Sequence, residues 1–214
     1  MTKKPLFLVV MILCGFIAGA LITNVMFALT GFYFFGSNQV RTVSIESADS
    51  ADMTVLAYKV LEYIKDDDFV ALSHVVHPEY GVVLSPYATI NLTTDRRFSA
   101  EQIAVLDTDT NIYVWGVYNG RGEPIELTPT EYFEKFVPAS EFFDAAIIGI
   151  NQIVRSGNAL ENITDVFPNV QFIDFHLSGG ELMEEFDWSS LRLGFEEYDG
   201  YYKLITISYS TWTA

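Results

Sequence analysis

Apolar residues run almost unbroken from Pro5 to Gly36, "PLFLVVMILCGFIAGALITNVMFALTGFYFFG", and no charged residue interrupts the chain between Lys4 and Arg41. A helix needs roughly 20 such residues to cross a bilayer. A signal-peptide core is shorter, about 7–15 residues, and ends at a small-residue cleavage site. "MFALTG" matches such a site poorly and the apolar run continues past it, so residues 1–36 read as a cytoplasmic tip and an uncleaved signal-anchor helix. Residues 37–52, rich in serine and aspartate, read as a polar stalk, and a single domain is expected over 53–214.

The pattern then changes period. Met53, Leu56, Ala57, Val60, Leu61 and Ile64 fall on one helical stripe. Asp68 is placed to cap a second short helix that carries Phe69, Leu72 and Val76 inward and stops before Pro78. "YGVVLSPYATINL" reads as a strand. "FSAEQIAVL" reads as a helix opened by a Ser99/Gln102 capping box, and "TPTEYFEKFV" as one opened by Thr128, Pro129 and Glu131. "NIYVWGVY", "AAIIGINQIV" and "NVQFIDFHL" read as strands, and "ENITDVFP" as a short helix or turn before the last of them. "LRLGFEEYDGYYKLITISYSTW" reads as two strands joined by a two-residue Asp199-Gly200 turn, a register that sets Glu196 opposite Lys203 and Phe195 opposite Leu204.

Helices first and a long run of strands afterwards predict an α+β class. The order resembles the nuclear-transport-factor-2-like (cystatin-like) fold, a cone in which a curved antiparallel sheet packs on N-terminal helices. "VHPEYGVVLSPYATI", "YVWGVYNGRGEPIELTPTEYFEKFV" and "LRLGFEEYDGYYKL" also resemble segments of a group of exported, membrane-anchored proteins of Gram-positive bacteria. That resemblance brings no activity with it. Members of the group often end in a His-Asp pair where this chain carries Tyr209-Ser210, so any chemistry resting on that pair is missing here.

Charge orients the chain. Lys3 and Lys4 precede the apolar run, which predicts a cytoplasmic N-terminus and an extracytoplasmic domain in a single-pass cell-membrane protein. Beyond the span, 10 basic residues face 28 acidic ones, a formal charge of −18. Nucleic-acid partners reward basic patches, so none is expected. Cys14 lies within the apolar run, and with no other cysteine the domain relies on its core and no disulfide. Leu13 before Cys14 is too large for a lipidation site.

Three constellations carry candidate chemistry. His74 and His77 share a helical face with Glu79 nearby, but they supply two ligands where zinc takes three or four. A histidine at a helix C-terminus, favourable against the dipole, explains them equally, and no metal and no cofactor is expected. Asp174 and His176 alternate onto one strand face with Phe172, while Ile173, Phe175 and Leu177 take the other. A carboxylate beside an imidazole suits a general base; the competing reading is a polar pair facing outward from a half-exposed sheet. Tyr87 and Trp115 join them as candidate pocket linings, with His77 at the rim.

"YNGRGEP" lacks the Lys-Ser/Thr of a phosphate loop, and no Gly-x-Ser-x-Gly or His-Glu-x-x-His motif occurs. Asn91-Leu-Thr and Asn162-Ile-Thr match the glycosylation sequon, by chance in a bacterial chain. The sequence thus points to a membrane-anchored domain that binds a small-molecule or protein ligand without catalysis. The alternatives are a small hydrolase or dehydratase built on Asp174 and His176, and a cell-envelope assembly factor.

Overall fold

The computed structural model describes residues 48–145, 147–180 and 186–212. The expected signal-anchor, and the stalk as far as residue 47, lie outside them. No helix among the described residues is long and apolar enough to cross a membrane.

Helix α1 (Ala48–Lys65) begins inside the stretch read as stalk, ahead of Met53. Its stripe behaves as the periodicity predicts: Met53, Ala57, Val60, Leu61 and Ile64 are buried. Helix α2 (Phe69–Val75) opens on Asp68, whose carboxylate accepts the Ala71 N–H at 2.9 Å. The chain then turns through Gly81, at φ +79°, where a Cβ would meet the Phe98 carbonyl oxygen at 2.3 Å. Only glycine fits that turn.

Strand β1 (Val82–Ser85) is much shorter than predicted, and β2 (Arg96–Phe98) pairs with it after a loop. Helix α3 (Ala100–Ile103), strands β3 (Tyr113–Val117) and β4 (Pro124–Leu127), and helices α4 (Pro129–Phe136) and α5 (Ala139–Phe142) follow. Both predicted capping boxes form, Ser99 with Gln102 and Thr128 with Glu131. The last elements are β5 (Ile147–Ile150), α6 (Ile163–Val166), β6 (Gln171–Leu177), β7 (Ser189–Tyr198) and β8 (Tyr201–Thr211).

The architecture is α+β. Six strands form a sheet in the order β2-β1-β8-β7-β6-β5, while β3 and β4 form a separate two-stranded sheet. The element order predicts a wholly antiparallel sheet, but β1 runs parallel to β8. The helices and hairpin between them supply the long connection that a parallel pair needs. Asp199 and Gly200 both have positive φ, and the hairpin register matches the sequence reading from Tyr198–Tyr201 to Phe195–Leu204. Beyond it a bulge between Gly194 and Phe195 shifts the ladder and bends the strand.

Both sheet faces are covered. Ile173, Phe175, Leu191, Leu193 and Ile207 belong to the main core with α1 and α2. The Tyr58 ring of α1 meets Phe175 edge-on, with centroids 5.3 Å apart. Val83, Phe172 and Ile205 form a second, smaller core with Ile163 and Phe167. Residues 151–170 therefore act as a strap across the sheet face that the helices leave uncovered.

Candidate functional site

Alternation puts Asp174 and His176 under that strap. Register aligns Asp174 with Arg192 and Ser208, and His176 with Ser190 and Ser210. All six are buried; Asp174 and Arg192 have no exposed surface. The half-exposed sheet face expected from the sequence is thus corrected to a sealed polar layer. A charge there must be paired, and pairs are present. Arg192 donates through Nη1 to Glu161 of the strap and through Nη2 to Asp174, at 3.3 Å for the latter. The Val154 N–H, also from the strap, donates to Asp174 Oδ2 at 2.8 Å.

Burial raises the pKa of both Asp174 and Glu161, and the Arg192 guanidinium opposes it without overcoming it. His176 Nδ1 meets Ser190 Oγ at 2.9 Å, and its ring lies against Trp188 with centroids 5.8 Å apart. The Asp174 carboxylate is thus held by Arg192, the strap backbone and the Ser190 hydroxyl, which also meets the imidazole. The geometry is that of a clamp on the strap. A general base must instead reach the proton it abstracts.

The other sequence candidates separate. His77 is buried, and its Nδ1 accepts the backbone N–H groups of Tyr80 at 2.9 Å and Glu79 at 3.3 Å. Its ring sits edge-on to Tyr198, 4.9 Å away. The nitrogen lone pair is used in the turn, so His77 pins the loop after α2 to the sheet. The His74 carbonyl accepts from Lys203 Nζ at 3.0 Å. Among the described residues no group of three or more metal-ligating side chains is close enough to hold an ion.

Trp115 is fully buried. Its indole stacks on Tyr132 at 3.9 Å, and Nε1 donates to the Leu127 carbonyl at 2.9 Å. Trp115 belongs to the core and not to a pocket. The expected grouping of Tyr87, Trp115, Asp174 and His176 around one interior does not form, because the sheet lies between Trp115 and the Asp174 layer and aromatic rings fill the space beside Trp115.

Tyr87 lines a cleft of about 430 Å³ with Thr89, Asn91, Asp95, Asn119 and Asn158. The Tyr87 ring rests edge-on to Phe136, 6.2 Å away, and its hydroxyl oxygen accepts the Asn119 N–H at 3.2 Å. Gly116, at φ +127°, sits beside Pro86 at the irregularity of β3 between Val114 and Val117. Asp95 is half-buried and accepts the Asn91 N–H at 2.9 Å. Desolvation pushes its carboxyl pKa up, against the hydrogen bonds it accepts. A second hollow, lined by Arg96 and Val114, shares Thr94, Asp95, Gly116 and Val117 with the cleft.

The strap also shapes this cleft. The Asn162 side chain bonds both the N–H and the carbonyl of Ile90, at 2.8 and 2.9 Å, and Thr89 Oγ1 donates to the Leu160 carbonyl. Asn162 of the second sequon is therefore occupied as a stitch between two loops. Sequence reasoning missed Asp95, Asn119 and Asn158 because three separate loops bring them together. The one local sign was Asn91 followed by Thr93, whose N–H returns to the Asn91 side chain at 3.0 Å.

No protein-family model matches the chain, and no curated protein sequence matches it. Among solved structures, one similar chain comes from Xanthomonas campestris and is named for a calcium/calmodulin dependent protein kinase II association domain. It shows 15% identity and a TM-score of 0.35, over 83% of this chain and 97% of that one. Another is Aln2 from a Streptomyces species, at 7% identity and a TM-score of 0.32, over 81% of this chain and 94% of that one. Neither likeness reaches the level at which a residue, ligand or activity can be carried across.

Proposed function

We propose that this chain is a membrane-anchored, extracytoplasmic binding domain on a nuclear-transport-factor-2-like cone, that its ligand occupies the Tyr87–Asp95 cleft, and that it catalyses nothing. The observation that carries this reading is the division of labour between the sheet face and the cleft. Asp174 and His176 are buried and bonded to Arg192, Val154 and Ser190. The cleft offers hydrogen-bonding groups around one carboxylate, with no histidine, lysine or cysteine in its lining. Such a lining holds a ligand; it supplies no nucleophile paired with a base. Helices packed on one face of a bent sheet whose two central strands form a long hairpin support the cone.

The anchor rests on the apolar run between Lys4 and Arg41. Protease added to intact cells is expected to digest the domain while the first residues stay protected. Full protection of the domain in intact cells, with digestion after lysis, overturns the orientation.

A further inference from the structure

We infer that the cleft takes a neutral, polyhydroxylated ligand of the mono- or disaccharide class. The inference rests on the proposed reading of the cleft as the binding site, and adds the chemistry of what enters it. No lysine, arginine or histidine lines the cleft itself, and Arg96 of the adjoining hollow is turned to the Val114 carbonyl and the Tyr113 ring, so an anion meets the Asp95 carboxylate with no cation in the cleft. The groups offered are mixed in kind. Asn91 spends its Oδ1 on the Thr93 N–H, which leaves its Nδ2 hydrogens as donors. The Tyr87 hydroxyl oxygen accepts from the Asn119 backbone, which leaves its proton to donate. Asp95 is an acceptor whose carboxylate is half-desolvated.

An ammonium ligand wants acceptors alone, and the amide and phenol hydrogens oppose it. A sugar hydroxyl donates and accepts at one atom, so neighbouring hydroxyls satisfy Asp95 and the Asn91 and Tyr87 donors together. Volume agrees: about 430 Å³ falls near the lower end of the roughly 300–1,000 Å³ of small-ligand sites. The Tyr87 ring, held against Phe136, gives the cleft one fixed wall, which limits the ordering cost of binding.

The test uses the full chain in lipid nanodiscs, free of sugar-based detergent. Saturation-transfer NMR and calorimetry are run with glucose, N-acetylglucosamine, maltose and N,N′-diacetylchitobiose, beside putrescine and citrate. At least one sugar is expected to bind, with an affinity unchanged by added salt. Asp95→Asn and Tyr87→Phe should each weaken it about tenfold or more, as loss of a hydrogen bond to a charged group or of a buried donor does. Glu134→Gln, remote from the cleft, should leave it unchanged. If Asp95→Asn lowers the melting temperature, Tyr87→Phe and Asn119→Ala carry the comparison.

Salt-sensitive binding of putrescine, lost in Asp95→Asn, with no sugar bound, overturns the ligand class and keeps the cleft as the site. Sugar binding unaffected by every cleft variant overturns the inference and the site together. Binding of none of the six compounds overturns the inference.

Discussion

Replacing Arg192 with methionine will lower the unfolding free energy by about 3–5 kcal/mol, the usual cost of removing one partner from a buried ion cluster. Methionine matches the stem of arginine, so lost packing is a small part of the effect. The larger part comes from Asp174 and Glu161, which stay under the strap without their shared cation. Adding Asp174→Asn and Glu161→Gln to Arg192→Met should recover most of the loss. Neutral amides tolerate the site, and the amide oxygen that replaces the Asp174 carboxylate still accepts the Val154 N–H. Urea titration of the three proteins measures this. A loss below about 1 kcal/mol for Arg192→Met contradicts the clamp, since surface ion pairs have values of that size.

The same cluster gives a pH signature with a definite sign. Asp174 and Glu161 both have folded-state pKa values raised above the ordinary carboxylate value, mainly by burial. Across the window from the unfolded to the folded value, the native state holds more protons than the unfolded chain. These groups therefore reduce stability as pH rises through that window and restore it as pH falls. Asp95 acts in the same direction. Glu101, Asp109 and Glu131 have lowered values and the opposite sign, but Glu101 and Glu131 are solvent-exposed and Asp109 is only partly covered, so they contribute little. Removing the guanidinium should widen the window. The stability gap between wild type and Arg192→Met is thus expected to shrink as pH falls below neutrality, and a gap independent of pH contradicts the assignment.

The second large effect is expected at Trp115. Trp115→Ala should cost about 3–5 kcal/mol, the range for deleting a buried large aromatic. It removes the stack on Tyr132 and contacts to Phe98 and Tyr113, and it leaves the Leu127 carbonyl without its indole donor. Trp115→Phe keeps most of the volume and loses the hydrogen bond, so a smaller cost of about 1–2 kcal/mol follows. Denaturant titration decides between a core and a pocket role. A pocket tryptophan truncated to alanine leaves stability nearly unchanged; that result contradicts the full burial of Trp115.

The fold was legible where local rules are strong. The stripe from Met53 to Ile64, the Ser99 and Thr128 capping boxes and the Asp199-Gly200 turn all depend on residues close in sequence, and each forms as read. The parallel pairing of β1 with β8 joins residues more than a hundred positions apart, and no local pattern specifies it. Alternation also placed Asp174 and His176 on the strand face away from Ile173 and Phe175. What it could not supply was the cover. Asn162, Glu161 and Val154 lie in a stretch without periodicity, and their bonds to Ile90, Arg192 and Asp174 turn an exposed-looking face into an interior. The cleft was hidden for a related reason: its polar residues are ordinary loop residues until three loops meet.

The central claim is that ligands enter the Tyr87–Asp95 cleft and leave the Asp174–His176 layer untouched. Amide NMR of the ¹⁵N-labelled full chain in nanodiscs, titrated with a mixture of neutral, cationic and anionic polar fragments, tests it most directly. Shifts are expected only at residues 87–95, 116–120 and 158–159. Shifts centred on Asp174, His176 and Ser190, with the cleft silent, contradict it and return the chain to the enzyme reading.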